Sequence, residues 1–453
     1  MSISSSTIAS TENRMILGLG ITGRSVARWW SQRGIAFHAM DTREALAAET
    51  ATWSEIDAAS LAFGEPAEDA ADGITELIVS PGISLEHPMV ARAKDRGCRV
   101  RGDIDLFMEA VDVPVIGITG SNGKSTVTAL LSSMISECGA SVSIGGNFGR
   151  PALDLLSDES DCYVLELSSF QLERAEPLGL SVATVLNISA DHLDRYHTIA
   201  AYHQSKHRIF HGVKHVVANR DDPLTVPLLP EEVPVKWWRR GEPDLGEYGL
   251  REREGVLWIC RGFQPLLSTA QLPLAGRHNY HNVLAALALG VAMGFSEEQL
   301  LAGAVRYRGL PHRCERVAAV GDITFFDDSK GTNVGATLAA LEGLGGANNL
   351  WLILGGQGKD QDFSLLRSAV AKYCAGIVVI GEAAGEIAGV LADVITVHQA
   401  ASLESAVGLA SDLAEPGQTV LLSPACASLD MFRDYVERGE RFQSAVLALG
   451  AAA

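Results

Sequence analysis

The chain has 453 residues, with 36 Lys+Arg against 55 Asp+Glu and a net charge of −19, which at roughly 150 residues per domain excludes a single small module and leaves room for about three domains. Hydrophobic residues make up 47% and charged residues 20%, a balance that excludes a disordered chain. The acidic excess also excludes a protein that holds nucleic acid by neutralising phosphates over a basic face.

The polar start, Met1 to Arg14, reads as a frayed terminus without the apolar core of a leader. Strand-like runs then follow at Met15–Leu19, Leu77–Val79, Val115–Thr119, Tyr163–Leu167, Ala183–Asn187, Leu350–Leu354, Ile377–Ile380 and Thr419–Leu422, alternating with helical stretches. Several are continuously apolar, as strands covered by helices on both faces are, so the expected class is α/β with parallel sheets. Turn-like punctuation near Arg101–Asp112 and Tyr307–Arg313 divides the chain into expected units 1–102, 103–309 and 310–453. Pro227–Pro273, with scattered Gly and Glu and short apolar pieces, reads as β-hairpins inserted in the middle unit. The longest apolar run, Val283–Phe295, is shorter than the roughly 20 residues needed to span a bilayer. The 7 cysteines are scattered and form no CxxC pair, arguing against a disulfide framework or zinc knuckle and for a reducing compartment. A cytoplasmic protein without membrane insertion is expected.

Two glycine-rich turns dominate the chemistry. Gly18-Leu-Gly20-Ile21-Thr22-Gly23 follows a strand, opens a helix and is followed by Asp41 after a second strand. That is a dinucleotide fingerprint in its expected context, but any nucleotide diphosphate satisfies the same backbone donors, and a purely structural turn is the alternative. Ser80-Pro-Gly82, after the next strand, could border the same crevice. The second turn, Gly117-Ile-Thr-Gly120-Ser121-Asn122-Gly123-Lys124-Ser125-Thr126, lacks strict Walker spacing but keeps G-x-x-G-K-S between strand and helix. Its N–H groups form an anion nest, Lys124 adds a point charge and Ser125 a hydroxyl for Mg²⁺.

Polar groups recur at strand ends. Glu166, after three apolar residues, is costly to bury unless it meets a metal or cation, a helix cap being the alternative. Asn187-Ile-Ser-Ala-Asp191-His192-Leu-Asp194 adds oxygen and imidazole groups. His203, His207, His211 and His215 recur at helical intervals but read as solvated histidines, since Gly212 interrupts the helix. By composition alone Lys206 reads as a surface lysine. Asn279 and Asn282 share a helix face. Further on, Arg313, Asp328-Ser-Lys330-Gly-Thr332, Lys359 and Cys426-Ala-Ser428 follow strands and should gather on one sheet rim, where Arg313, Lys330 and Lys359 suit carboxylate and phosphate oxygens.

Taken together, these segments, with Leu165-Glu-Leu-Ser-Ser-Phe-Gln-Leu-Glu173, Asp328-Ser-Lys-Gly-Thr-Asn333 and Ser423-Pro-Ala-Cys-Ala-Ser-Leu-Asp430, resemble the Mur ligase family of ATP-dependent amide-forming enzymes over nearly the whole chain. The resemblance implies three domains: an N-terminal Rossmann-like one for UDP, a central P-loop ATPase-like one and a C-terminal Rossmann-like one for the amino acid. It implies that D-glutamate is joined to UDP-N-acetylmuramoyl-L-alanine (UDP-MurNAc-L-Ala) by a monomer using ATP and two Mg²⁺ ions. By the same resemblance, Gly20, Ile21, Thr22, Asp41, Thr42, Arg43, Ser80, Gly82 and Asn147 meet the UDP-substrate. Gly120 to Thr126, Asn282, Arg313 and Asp328 meet ATP, with Lys124 on the β- and γ-phosphates. Ser125 and Glu166 serve one Mg²⁺, and His192 and Lys206 the other, with Lys206 carbamylated by CO₂. Lys124, His192 and Lys206 form the implied catalytic set, while Lys330, Thr332, Lys359, Ser428 and Tyr435 orient glutamate. Gly331 and Tyr435 depart from the Ala and Phe familiar in relatives.

Overall fold

The computed structural model describes residues 13–452 apart from 55, 58, 275 and 360. The expected frayed segment lies outside the described residues up to Glu12, while Arg14 is already paired in a strand and bonded to Glu76.

Three sheets follow one another along the chain. The first holds β1 (Arg14–Leu17), β2 (His38–Asp41), β3 (Ser60–Phe63), β4 (Glu76–Val79) and β5 (Arg99–Arg101). All its pairings are parallel, in the order β3-β2-β1-β4-β5. This is the doubly wound order, whose ligand crevice opens between β1 and β4, where the strand order reverses. The glycine turn leaves β1 there and Ser80 leaves β4, so the two motifs meet: Ser80 Oγ donates to Gly18 O at 2.6 Å. Gly23 lies in the helix Ile21–Gln32, against the turn, and a Cβ there would lie 1.8 Å from Gly18 O and 2.8 Å from Ser80 Oγ. Gly23→Ala is therefore expected to destabilise the fold by about 3 kcal/mol through overpacking, measurable as a lower urea midpoint without change of slope.

The second sheet holds β6 (Val115–Thr119), β7 (Val142–Gly146), β8 (Cys162–Glu166), β9 (Val182–Val185), β10 (His215–Asn219), β11 (Val235–Trp238), β12 (Tyr248–Arg253), β13 (Val256–Arg261) and β14 (Gln264–Ser268). Their order is β14-β13-β12-β11-β10-β9-β6-β8-β7. β6 and β8 are buried throughout, explaining their continuously apolar sequences. The expected strand Ala183–Asn187 ends at Val185, because the next residues turn onto the phosphate-type loop: Leu186 N donates to Thr119 O and Ser121 N to Asn187 O, each at 2.9 Å. The expected inserted hairpins are an extension of this sheet. β11 runs parallel to β10, and only β12–β14 form an antiparallel meander.

The third sheet holds β15 (Glu315–Val320), β16 (Ile323–Asp327), β17 (Leu350–Gly355), β18 (Cys374–Ile380), β19 (Val397–Gln399) and β20 (Thr419–Leu422), ordered β15-β16-β20-β17-β18-β19. It is parallel except for the β15–β16 hairpin. Apolar clusters line both faces of this sheet. No helix among the described residues is long and apolar enough to cross a membrane.

Candidate active site

The glycine loop after β6 passes through left-handed backbone at Gly123 (φ 82°), where a Cβ would lie 2.9 Å from Asn282 Oδ1. Gly123 thus lets the loop enter the helix Lys124–Glu137 while Asn282 stays close. Lys124 curls back so that Nζ donates to Gly120 O and Ser121 O, both at 2.9 Å. Ser125 Oγ donates to Glu166 Oε2 at 2.5 Å, and Asn147 Nδ2 to Glu166 Oε1 at 2.7 Å. Glu166, only 2% exposed, is therefore held by two neutral donors at the end of β8, and it caps no helix. A carboxylate and a hydroxyl converging beside a phosphate-type loop are hard oxygen donors that suit Mg²⁺.

Lys206 is buried, with 2% exposure, contrary to its surface reading by composition. The helix Ile199–His207 lies beneath the loop, and Lys206 Nζ donates at 2.9 Å to the same Gly120 oxygen that Lys124 uses. The position follows from packing: Tyr202, on the same helix, reaches Ser121 Oγ at 3.1 Å, and its ring lies 4.6 Å from Lys206 Nζ. Burial, then the charge of Lys124, pushes the Lys206 amine well below its ordinary pKa, and burial lowers Lys124 too. The two lysines thus share one carbonyl acceptor, with Glu166 and Asp191 as the negative charges that act on both.

His192 takes left-handed backbone (φ 54°) at the head of the helix Leu193–Tyr196, and its ring centroid lies 4.8 Å from that of Phe170. The histidine series does not share one helix. His203 and His207 stack at 3.9 Å, but His215 begins β10.

The rim of the third sheet closes over this loop. Arg313 Nη2 donates to Ser125 Oγ at 2.7 Å, and Asn333 Nδ2 to Asn122 Oδ1 at 3.2 Å and Asp191 Oδ2 at 3.3 Å. Asn122, Gly123, Thr126, Asn282, Arg313 and Asp328 line a cleft between the two sheets. Asp328 accepts from Ser423 Oγ at 2.7 Å and Cys314 N at 3.2 Å, and burial pushes it up to about 7. Lys330 Nζ lies 3.9 Å from the centre of the Tyr435 ring. Thr332 and Ser428 are on neighbouring loops, whereas Lys359 is exposed on the loop after β17 in left-handed backbone (φ 50°).

At the crevice of the first sheet, Asp41 is fully engaged. It accepts from Leu19 N at 2.6 Å and from Arg43 N and Nε at 2.9 Å, and bonds to Arg43 outweigh burial to hold it below the ordinary carboxylate value. The Arg43 guanidinium, paired with Asp41 through Nε and Nη2, is exposed beside Gly20 at the opening. Gly82 and Ile21 are exposed at the same opening, and Thr42 is half-buried.

Several residues beside the site were assigned to no particular ligand in the reading of the sequence. Asp191, within a motif already noted, adds charge near Lys124, Lys206 and Lys330. Burial lowers His278, from the polar lead into the helix Arg277–Ala292, to about 4. Gln361 carried no sequence signal, yet it accepts from Val334 N at 2.8 Å and donates to Thr332 O and Ala425 O at 3.3 and 3.1 Å.

A parallel-sheet phosphate loop with a half-buried and a buried lysine, facing a second rim that supplies Arg313 and Lys330, defines an ATP-dependent ligase of the Mur type, and the chain belongs to the Mur ligase family. Residues 12–102 match the Mur ligase MurD-like N-terminal domain, 118–290 the Mur ligase middle domain and 312–426 the Mur ligase glutamate ligase domain. The chain is 46% identical to UDP-N-acetylmuramoylalanine–D-glutamate ligase of Pseudomonas aeruginosa, over 97% of this chain and 99% of that one. It is 47% identical to the enzyme of the same name from Marinobacter nauticus, over 98% and 100%. Among solved structures, a pseudomurein peptide ligase type C from Methanothermus fervidus shares the fold, with TM-score 0.60 and 17% identity over 97% of this chain and 100% of that one. UDP-N-acetylmuramate-alanine ligase from Thermotoga maritima does so with TM-score 0.59 and 17% identity over 96% and 99%.

Proposed function

We infer that the chain joins D-glutamate to UDP-MurNAc-L-Ala at the cost of ATP, releasing ADP and phosphate, in the synthesis of peptidoglycan precursors for the cell wall. The observation that carries this reading is the convergence of Lys124, Ser125, Glu166 and Arg313 on one loop, with Lys206 beneath it. The full-length likeness to D-glutamate ligases supports the choice of acceptor.

In this reading residues 1–102 hold the UDP-substrate, 103–309 hold ATP and 310–453 admit glutamate, in a cytoplasmic monomer. The segment Tyr307–Leu310, which is neither helix nor strand, is the hinge on which the last unit closes. The γ-phosphoryl group passes from ATP to the L-alanine carboxylate, giving an acyl phosphate and ADP. The neutral amine of D-glutamate then attacks the acyl carbon, and phosphate leaves from the tetrahedral intermediate as the amide forms. Lys124 and Arg313 meet the charge that builds on the phosphoryl oxygens. Ser125 and Glu166 would hold one Mg²⁺, and His192 with carbamylated Lys206 the second. When bound, these ions screen phosphate charge. If His192 is not a metal ligand, its role in this reading is that of the base that takes the amine proton. Asn282 and Asp328 face the nucleotide, and Asn147 with Thr22 and Arg43 the UDP-substrate.

Lys330 reports on the glutamate pocket. Burial, then the charges of Arg313 and Lys124, lower its pKa to about 8. It is a cation at neutral pH and loses its charge as pH rises through that value, so its hold on a carboxylate weakens upward. The KM for glutamate should be about tenfold higher at about pH 9 than at about pH 7, with the KM for the UDP-substrate changing little. A flat profile removes Lys330 from carboxylate binding.

The overall test is phosphate release from ATP and Mg²⁺ with UDP-MurNAc-L-Ala and D-glutamate, L-glutamate or no amino acid, with the product identified by mass. Release and product with D-glutamate alone is expected. Product with L-glutamate would revise the pocket, and no product with either would overturn the assignment.

A further inference from the structure

We propose that Arg174 and Arg195, bridged by Glu173, form a clamp that fixes the Val79–Ile83 segment of the first sheet to the His192 segment of the second, so that the two substrate loops act as one rigid unit. The inference rests on the reading above that Ser80 and Gly82 face the uridine diphosphate.

Arg174 follows the helix Ser169–Leu172, and its side chain is fully buried. Its Nη1 donates to Val79 O at 2.9 Å and Ser80 O at 2.6 Å, and its Nη2 to Pro81 O at 3.4 Å and Ile83 O at 3.2 Å. Arg195 arrives from the other side, donating to Pro81 O at 3.2 Å and Ile83 O at 2.9 Å. Both guanidiniums meet the Glu173 carboxylate. Four carbonyls of one short segment are thus turned toward two cations, while Ser80 Oγ is tied to Gly18 O at 2.6 Å and its N–H to Leu17 O at 2.9 Å.

The other end of the clamp is the candidate metal loop. Arg195 N donates to His192 O at 3.0 Å, and its guanidinium lies 4.4 Å from the centre of the Phe170 ring, against which His192 packs at 4.8 Å. Taking two guanidiniums out of water onto backbone carbonyls and a single carboxylate carries a desolvation cost that apolar packing would avoid. What it supplies instead is a fixed backbone orientation, and a displacement of about 1 Å in a reacting group can cost about a hundredfold in rate.

The test uses the full chain. Arg174→Met and Arg195→Gln are compared with wild type by steady-state kinetics in each substrate and by calorimetry with UDP alone. In both variants the KM for UDP-MurNAc-L-Ala should rise about tenfold or more and UDP affinity should fall by a similar factor, with the KM for ATP within about twofold and partial recovery in Arg174→Lys. If Arg174→Met fails to fold, Arg195→Gln, which removes only two of the six carbonyl contacts, carries the comparison. Folded variants with unaltered UDP-substrate KM overturn the clamp, as does an equal rise in the KM for ATP, which marks general distortion. Wild type that fails to bind UDP overturns the reading beneath it and the clamp together.

Discussion

Lys124→Ala is expected to lower ligation by about a thousandfold or more, the order seen when a group facing the charge of a phosphoryl or acyl transition state is removed. UDP binding should stay within about twofold, because the crevice between β1 and β4 is built from other residues. Lys124 is half-buried with its ammonium on Gly120 O and Ser121 O at 2.9 Å, which aims the charge into the loop that would cradle the phosphates. The substitution has a second, opposite consequence at Lys206. The charge of Lys124 helps to depress that amine, so its removal makes Lys206 more basic and a poorer nucleophile at neutral pH. Lys124→Arg should not restore activity, since a planar guanidinium cannot share the Gly120 oxygen with Lys206 as a compact ammonium does. Phosphate release alongside UDP calorimetry checks both parts, and near-normal turnover in Lys124→Ala would remove Lys124 from the mechanism.

The contrast between Lys124 and Lys206 shows what a sequence carries. Lys124 is legible because its role depends on neighbours in the chain: Gly120 and Gly123 supply the positive-φ backbone, and the helix begins at Lys124 itself. The glycines after β1 are legible for the same reason, down to the close packing of Gly23 on Gly18. Lys206 has no such local signature. Its burial comes from how the helix Ile199–His207 packs under a loop far earlier in the chain, and only family resemblance singled it out. Arg174 is more hidden still: it follows a recognised motif, but the carbonyls it holds belong to the other sheet. Long-range parallel pairing was equally invisible at β11, whose neighbours in sequence suggested a hairpin although it joins β10 in parallel. Asp41 shows what a fingerprint leaves out: its position was foreseen, but not that its carboxylate bonds to Leu19 N and the Arg43 side chain.

Lys206→Ala is the second large effect expected, again about a thousandfold in turnover, and it tests a chemical state as well as a residue. Burial, then the charge of Lys124, shifts the Lys206 amine toward its neutral form, which is the form that attacks CO₂. The new bond joins Nζ to the carbon, one proton passes to water, and the product is a carbamate anion. That anion would be attracted to the charge of Lys124, which shares the Gly120 oxygen with Lys206, and would add oxygen ligands for the second Mg²⁺. Enzyme prepared free of CO₂ should therefore lose activity and regain it with bicarbonate, and the intact chain should gain the mass of one CO₂ under trapping conditions. Acid should reverse the gain, because protonation of the nitrogen expels CO₂. Lys206→Arg should stay inactive with bicarbonate, since a guanidinium keeps its charge and forms no such adduct. If instead the amine serves only as a donor to Gly120 O, Lys206→Ala will lose activity but wild type will not respond to bicarbonate, and the carbamate must be abandoned.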